Sequence, residues 1–292
     1  MGIRGSFVSS PFAVITGSTR GLGQALASAF WLKGFSLCLV GRNRMALQDV
    51  EAALPHRTGQ EVVLTLCDLS LPLSVQSLCQ QLQTGLPEVA VLINNAAVQG
   101  PIGASWSNDF DAWQAAIQVD LLAPVALCRS VVPGMISRRS GSIINLSGGG
   151  ATAPRANFSS YATAKAGLVR FSETLAQETQ PYGLKVNCIA PGAMKTAMLG
   201  EVLSTGAIQA GQREFDIATK VFDEGGAAMD RVAQLSLFLA SKASDGITGK
   251  LISAVWDDWG HWPEHLHELS ASDAYTLRRI AGRDRGFKWG DK

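Results

Sequence analysis

Charge is scarce in this chain, and neither sign leads. Only 17% of its 292 residues are Asp, Glu, Lys or Arg, and 25 basic against 24 acidic side chains leave a formal charge of +1. No basic block stands out, which argues against nucleic acid as a partner. Long apolar runs are missing as well. None is read as approaching the ~20 residues a membrane helix needs, so no membrane partner is expected. The first residues, MGIRGSFVSSPFAVITGS, enter a strand almost at once and lack the apolar centre of a secretory signal. Cysteine is sparse. Cys38, Cys67, Cys79, Cys128 and Cys188 are odd in number, scattered and set in apolar runs without metal-ligand spacing. They read as buried free thiols in a reducing, cytoplasmic setting, with no metal site. No internal repeat or low-complexity linker interrupts the first 255 residues.

What is present is a rhythm. Short β-rich apolar runs at Phe12–Thr16, Leu37–Val40, Val62–Cys67, Val89–Asn94, Ser142–Leu146, Lys185–Ile189 and Lys250–Ala254 each end in turn residues. Helical spacing fills the gaps, as in Gly23–Lys33 and Asp230–Ala240. Strands alternating with helices predict an α/β fold, a parallel sheet with helices on both faces. Parallel strands buried on both faces read as continuous apolar runs, as these do.

Polar residues gather just after these runs, where an open parallel sheet binds its ligands. After the first comes Thr16-Gly17-Ser18-Thr19-Arg20-Gly21-Leu22-Gly23. Glycines there allow a tight turn into a helix whose free N–H groups face an anion, such as a dinucleotide pyrophosphate. The second run ends at Gly41-Arg42-Asn43, without the carboxylate that would take a ribose 2′-hydroxyl. Arg42 and Arg20 offer guanidinium groups suited to a 2′-phosphate instead, so NADP is expected over NAD, with NAD still possible. Asp68-Leu69 follow the third run and Asn94-Asn95-Ala96-Ala97 the fourth. After the fifth lies SGGGATAPRANFSSYATAKAG, with Tyr161 and Lys165 four residues apart, hence on one face of a helix starting near Tyr161. A cation beside a phenol lowers its pKa and fits it for proton transfer at a carbonyl or alcohol oxygen. Taken alone, the pair is also an ordinary helix start with an exposed lysine.

Together these segments resemble the short-chain dehydrogenase/reductase family. T-G-S-T-R-G-L-G at 16–23, N-N-A-A at 94–97, Y-A-T-A-K at 161–165 and P-G-A-M-K-T at 191–196 stand in that family's order and spacing, over about residues 10 to 254. The resemblance implies a single Rossmann-type, doubly wound parallel sheet over residues 1–255 and an NAD(P) cofactor. It implies Tyr161 as the catalytic acid/base, with Lys165 binding the nicotinamide ribose and depressing the pKa of Tyr161. Gly17, Ser18, Thr19, Arg20, Gly21, Leu22, Gly23, Arg42, Asp68, Leu69, Asn94, Ala96, Pro191, Gly192 and Thr196 fall in cofactor-binding segments, Thr196 at the carboxamide. A homodimer or homotetramer is the implied assembly.

Two positions depart from the pattern. Thirteen residues before Tyr161, where the family carries a catalytic Ser, stands Gly148. Ser147 is the nearest replacement, although successive strand residues point to opposite faces. Backbone N–H groups of Gly148–Gly150, Ser159, Ser160 or a substrate hydroxyl are the alternatives. Asp120 stands where the family has an Asn that anchors a relay to the lysine. Ionised, it accepts hydrogen bonds and favours a charged Lys165.

Residues 197–229 fall in the region that covers substrate in this family, and their glycines suit a lid. Residues 256–292 form a C-terminal extension rich in Trp and His, with a possible short helix at Tyr275–Ile280. Exposed tryptophans are costly, so the extension is expected to pack on its own subunit or a neighbour. The expected activity is interconversion of a ketone and a secondary alcohol on a small polar molecule, a keto-sugar or cyclitol, because aromatic and acidic residues of the kind found in the extension often bind sugars. The alternatives are a reductase of a lipid-like or acyl-carrier 3-oxo substrate, and a non-catalytic NADP-binding sensor.

Overall fold

The computed structural model describes residues 10–86 and 88–289. Residues 1–9, read above as leading straight into a strand, lie outside the described residues. Seven strands form one sheet: β1 (Phe12–Thr16), β2 (Ser36–Gly41), β3 (Val62–Leu66), β4 (Val89–Asn94), β5 (Ser142–Leu146), β6 (Lys185–Ala190) and β7 (Leu251–Ser253). Their order is β3-β2-β1-β4-β5-β6-β7, and every pairing is parallel. The order reverses between β1 and β4, and a crevice opens there beyond the carboxyl ends of the strands.

The strands are legible because both faces are buried. Ala13, Ile15, Leu37, Leu39, Val91 and Ile93 face one apolar cluster, whereas Phe12, Val14, Cys38, Val40 and Leu92 face another. Helices cover the two faces: α1 (Gly21–Leu32), α2 (Arg44–Ala52), α3 (Pro72–Thr84), α4 (Phe110–Ile117), α5 (Ala123–Arg138) and α6 (Ser159–Thr179). Helix α1 buries Leu22, Leu26 and Phe30 at four-residue spacing, so one stripe meets the sheet. Asn43 and Asp109 cap α2 and α4 by accepting from Ala46 N and Ala112 N. After β6 come α7 (Ala197–Thr205), α8 (Ala207–Ala210) and α9 (Gln212–Glu224), then α10 (Met229–Ala240) against α1.

One expectation about apolar runs is corrected. Phe110–Arg138, which is α4 and α5 joined through a wider π-type turn at Gln118–Leu122, is long and apolar enough to cross a membrane by length and composition. Its apolarity has another source: half of its apolar window is buried within the fold, where α5 packs on α3 and α4 packs on α6.

Beyond β7 the chain turns at Asp257, whose carboxylate accepts from Ser253 N at 2.7 Å. A 3-10 segment at Trp259–His265 and α11 (Leu266–Ala271) follow. Trp259 packs on Phe238, and buried Trp262 lies 4.3 Å from the Tyr275 ring centre. The short helix read at Tyr275–Ile280 is corrected to a non-helical strap that opens on a turn. Leu251 N of β7 donates to Tyr275 O, and Leu277 N donates to Glu173 Oε1 of α6 at 2.6 Å. These lateral bonds occupy the backbone groups a helix would need, and Tyr275 sits at φ +61°. Trp256 and Trp289 stay open to solvent at 86% and 76% exposure, so only half of the tryptophans in this segment are packed.

Candidate active site

A cavity of about 680 Å³ lies beyond the carboxyl ends of the strands. Its floor is the loop from β1 into α1. Gly17 has φ +65°, and a Cβ on it would lie 2.9 Å from Ala96 Cα, so only glycine lets the two loops touch. A Cβ on Gly23 would meet Gly17 O at 2.1 Å. Thr16 Oγ1 accepts from Asn95 N and Ala96 N, both at 3.0 Å, and Asn95 Nδ2 donates to Thr16 O at 2.9 Å. Thr16 and Asn95 therefore clamp the switch point. Both stand in the motifs after β1 and β4, but neither was named among the site residues, because a clamp between two loops is not visible in either motif alone.

Of the cofactor positions named from sequence, Gly17, Thr19, Arg20, Gly21, Leu22, Gly23, Arg42, Asp68, Leu69, Ala96, Pro191 and Thr196 line this cavity. Ser18, Asn94 and Gly192 do not. Ser18 is fully buried, with Oγ donating to Val40 O. Asn94 turns into the sheet, where Nδ2 donates to Asn145 Oδ1 at 2.8 Å. Gly192 lies under Val255 and Ala227. Asp68 accepts from both Ser70 N and Ser70 Oγ, which hold its carboxyl below the usual range; Arg42 adds a smaller pull in the same direction.

The catalytic candidates gather at the other end. Helix α6 presents Tyr161 and Lys165 on its buried face, at 7% and 2% exposure, with Lys165 Nζ 5.5 Å from the phenol ring centre. Lys165 Nζ donates to Leu146 O at 3.0 Å. Asp120 sits in the π-type turn, wholly buried and outside the cavity lining. Its Oδ1 accepts from Val98 N at 2.9 Å, and its Oδ2 lies 3.6 Å from Lys165 Nζ, an ion-pair distance too long for a hydrogen bond. Burial pushes the Asp120 carboxyl up, against the pull of Lys165. Burial carries the Tyr161 phenol above its ordinary value; Lys165 pulls it down, in the direction expected of the lysine, but does not outweigh the burial, while Asp120 adds to the rise and Arg155 offsets a smaller part.

Gly148 has a steric reason. A Cβ there would lie 2.1 Å from Tyr161 Oη, so the phenol hydroxyl occupies the space a serine would need. Ser147, the nearest replacement named from sequence, lines the cavity together with Tyr161 and Lys165 despite the alternation of strand residues. Its Oγ is buried and has no hydrogen-bond partner. The cavity is thus large enough for a dinucleotide, has a glycine cradle at one end, and holds an orphan hydroxyl at the other.

The lid also forms. Val202 of α7, Ala210 of α8 and Ala218 of α9 pack with Ile102 and Phe158. At its edge stands a group the sequence reading missed. Arg155, between β5 and α6, donates from Nε to Glu214 Oε2 of α9 at 2.8 Å and lies over the Phe158 ring at 3.8 Å. Its partner is 59 residues away, so no local pattern could announce the pair.

A Rossmann-type sheet with this glycine loop and a buried Tyr–Lys pair defines an NAD(P)-dependent oxidoreductase. The family model described as short chain dehydrogenase matches residues 11–206. The chain belongs to that family. It is 31% identical over 245 residues to a 3-oxoacyl-[acyl-carrier-protein] reductase FabG of Chlamydia trachomatis, covering 82% of this chain and 94% of that protein. Among solved structures, L-sorbose reductase from Gluconobacter frateurii, in complex with NADPH and L-sorbose, matches with TM-score 0.73 and 28% identity, over 84% of this chain and 95% of that one. YwfH, an NADPH dependent reductase involved in bacilysin biosynthesis, matches with TM-score 0.74 and 25% identity, over 84% and 97%.

Proposed function

We propose that the chain is an NADP-preferring enzyme that interconverts a ketone and a secondary alcohol on a small polar substrate of the keto-sugar or cyclitol class. The observation that carries this reading is that Tyr161, Lys165 and Ser147 open on the same cavity as the glycine loop and the two arginines. Arg20 and Arg42 would hold a 2′-phosphate, the start of α1 would face the pyrophosphate, and Pro191 and Thr196 would hold the carboxamide end. When bound, the dinucleotide supplies or takes the hydride. Tyr161 Oη gives the carbonyl oxygen its proton in reduction and takes it back in oxidation. Lys165 keeps a positive charge beside the phenol, and Ser147 Oγ donates the second hydrogen bond that the missing serine would have made.

No residue described after β7 lines the cavity, so the aromatic and acidic side chains of that segment do not meet a substrate there. The support for the sugar reading is the likeness to a reductase solved with L-sorbose, together with Arg155, which lies 5.7 Å from the Tyr161 ring centre and is held there by Glu214 and Gln99. A second reading, a 3-oxoacyl reductase, is favoured by the 31% identity to such an enzyme. We place the protein in the cytoplasm, in keeping with five free cysteines. We propose assembly as a homodimer or homotetramer, supported by open apolar side chains such as Phe110 and Leu122.

The test is steady-state turnover of ketoses, cyclitol ketones and a 3-oxoacyl thioester with NADPH and with NADH. Ketose or cyclitol turnover with NADPH ahead of NADH is expected. Tyr161→Phe should lower the rate by ~10²–10⁴-fold, with NADPH binding followed separately by fluorescence. A variant retaining more than about a tenth of the rate would remove Tyr161 as the acid/base.

A further inference from the structure

Arg155 is the only side chain whose cation is placed over the Tyr161 ring besides Lys165 among the described residues; its guanidinium carbon lies 5.7 Å from that ring's centre. Two neighbours already hold it. Glu214 Oε2 accepts from Nε at 2.8 Å, and the buried Gln99 Oε1 accepts from Nη1 at 3.4 Å. The pair is largely shielded, with side-chain exposures of 16% for Arg155 and 21% for Glu214. Gly150, at φ +98°, packs tightly here: a Cβ on it would lie 2.7 Å from Ala162 Cβ and 3.3 Å from Arg155 Cβ.

We propose that Arg155 and Gln99 anchor a carboxylate on the substrate, and that Glu214 occupies this anchor as an internal carboxylate which the substrate displaces. The inference rests on the reading of a small polar ketone and narrows it to an oxo acid, including a sugar acid. Three features support it. A carboxylate already sits on the guanidinium, so the position accepts that group in both charge and geometry. The planar fork of arginine takes two oxygens side by side, and Gln99 retains an amide N–H₂ to donate to an incoming oxygen. The two charges are shielded enough that leaving either unpaired is unfavourable, so Glu214 leaves most readily when another anion replaces it. Glu214 lies on α9, part of the lid, so the exchange couples arrival of the anion to lid movement.

The test compares straight-chain oxo acids with their methyl esters as ketone substrates, with NADPH saturating, in wild type, Arg155→Gln and Glu214→Gln. The wild type should favour acid over ester in kcat/KM. In Arg155→Gln that ratio should fall by at least about tenfold, the scale of one lost hydrogen bond to a charged group. In Glu214→Gln the KM for the acid should drop severalfold, because the internal competitor has lost its charge, and this variant tests the displacement even if Arg155→Gln does not fold. Equal turnover of acids and esters by the wild type, or equal fold-losses for both in Arg155→Gln, overturns the anchor while leaving the small-ketone reading standing. An unchanged acid KM in Glu214→Gln overturns the displacement. A phosphorylated ketone preferred over the oxo acids overturns the carboxylate in favour of a phosphate. Turnover of no small ketone, charged or neutral, removes the underlying reading as well.

Discussion

At the scale of single residues, the two departures from the family pattern both bear on one phenol, the first through packing and the second through charge. Gly148 leaves the space that Tyr161 Oη fills. Restoring the family residue should therefore harm the enzyme. Gly148→Ser is expected to displace the phenol and lower kcat by about a hundredfold, the cost typical of a misplacement near 1 Å. The check is kcat beside an unchanged circular dichroism spectrum; a kcat equal to or above wild type would show that the hydroxyl can be accommodated after all. Asp120 acts in the other direction, through charge. Its carboxylate raises the Tyr161 pKa, so Asp120→Asn removes an influence favouring the protonated phenol. Oxidation of an alcohol needs the phenolate, so its rate rises with pH through the Tyr161 pKa. In Asp120→Asn that rise is expected at lower pH than in wild type, measured as the pH dependence of kcat/KM for oxidation. A limb that stays in place or moves up would show that Asp120 carries no charge felt by the phenol.

At the scale of elements, the seven strands could be read because each is a short apolar run buried on both faces, and β1, β4 and β5 match their expected spans. Tyr161 and Lys165 were readable because a four-residue spacing survives any helix boundary, even though α6 begins two residues before the tyrosine. Elements shaped by distant partners were not readable. Asp120 lies in a π-type turn that nothing in QVDLL announces. The strap that begins at Tyr275 owes its non-helical path to β7 and α6, which supply the partners for its backbone. Arg155 gained its place from a helix that folds over it from far along the chain. The segment after β7 carries a prediction of its own. Burying one large apolar side chain contributes roughly 1.5–3 kcal/mol, and this segment buries Trp262 and Leu269. Truncation after Val255 is expected to lower the thermal midpoint by several degrees and to increase light scattering on heating. An unchanged midpoint would show that these contacts add nothing to the fold.

At the scale of the whole molecule, the sheet has one edge that it does not leave bare. Beside β7 runs the strap, with Leu251 N donating to Tyr275 O and Lys250 Nζ donating to Ala274 O, while Arg170 and Glu173 of α6 grip Leu277. The contact between Glu173 and Leu277 spans 104 positions of sequence. Translation runs in one direction, so a ribosome finishes β7 before it makes the strap. A chain that stops between β7 and the strap therefore carries its last strand without this cover, an unpaired edge on which neighbouring chains pair and aggregate. For this protein, a message cut short by only some twenty codons leaves the sheet closed in every pairing yet sticky along one side.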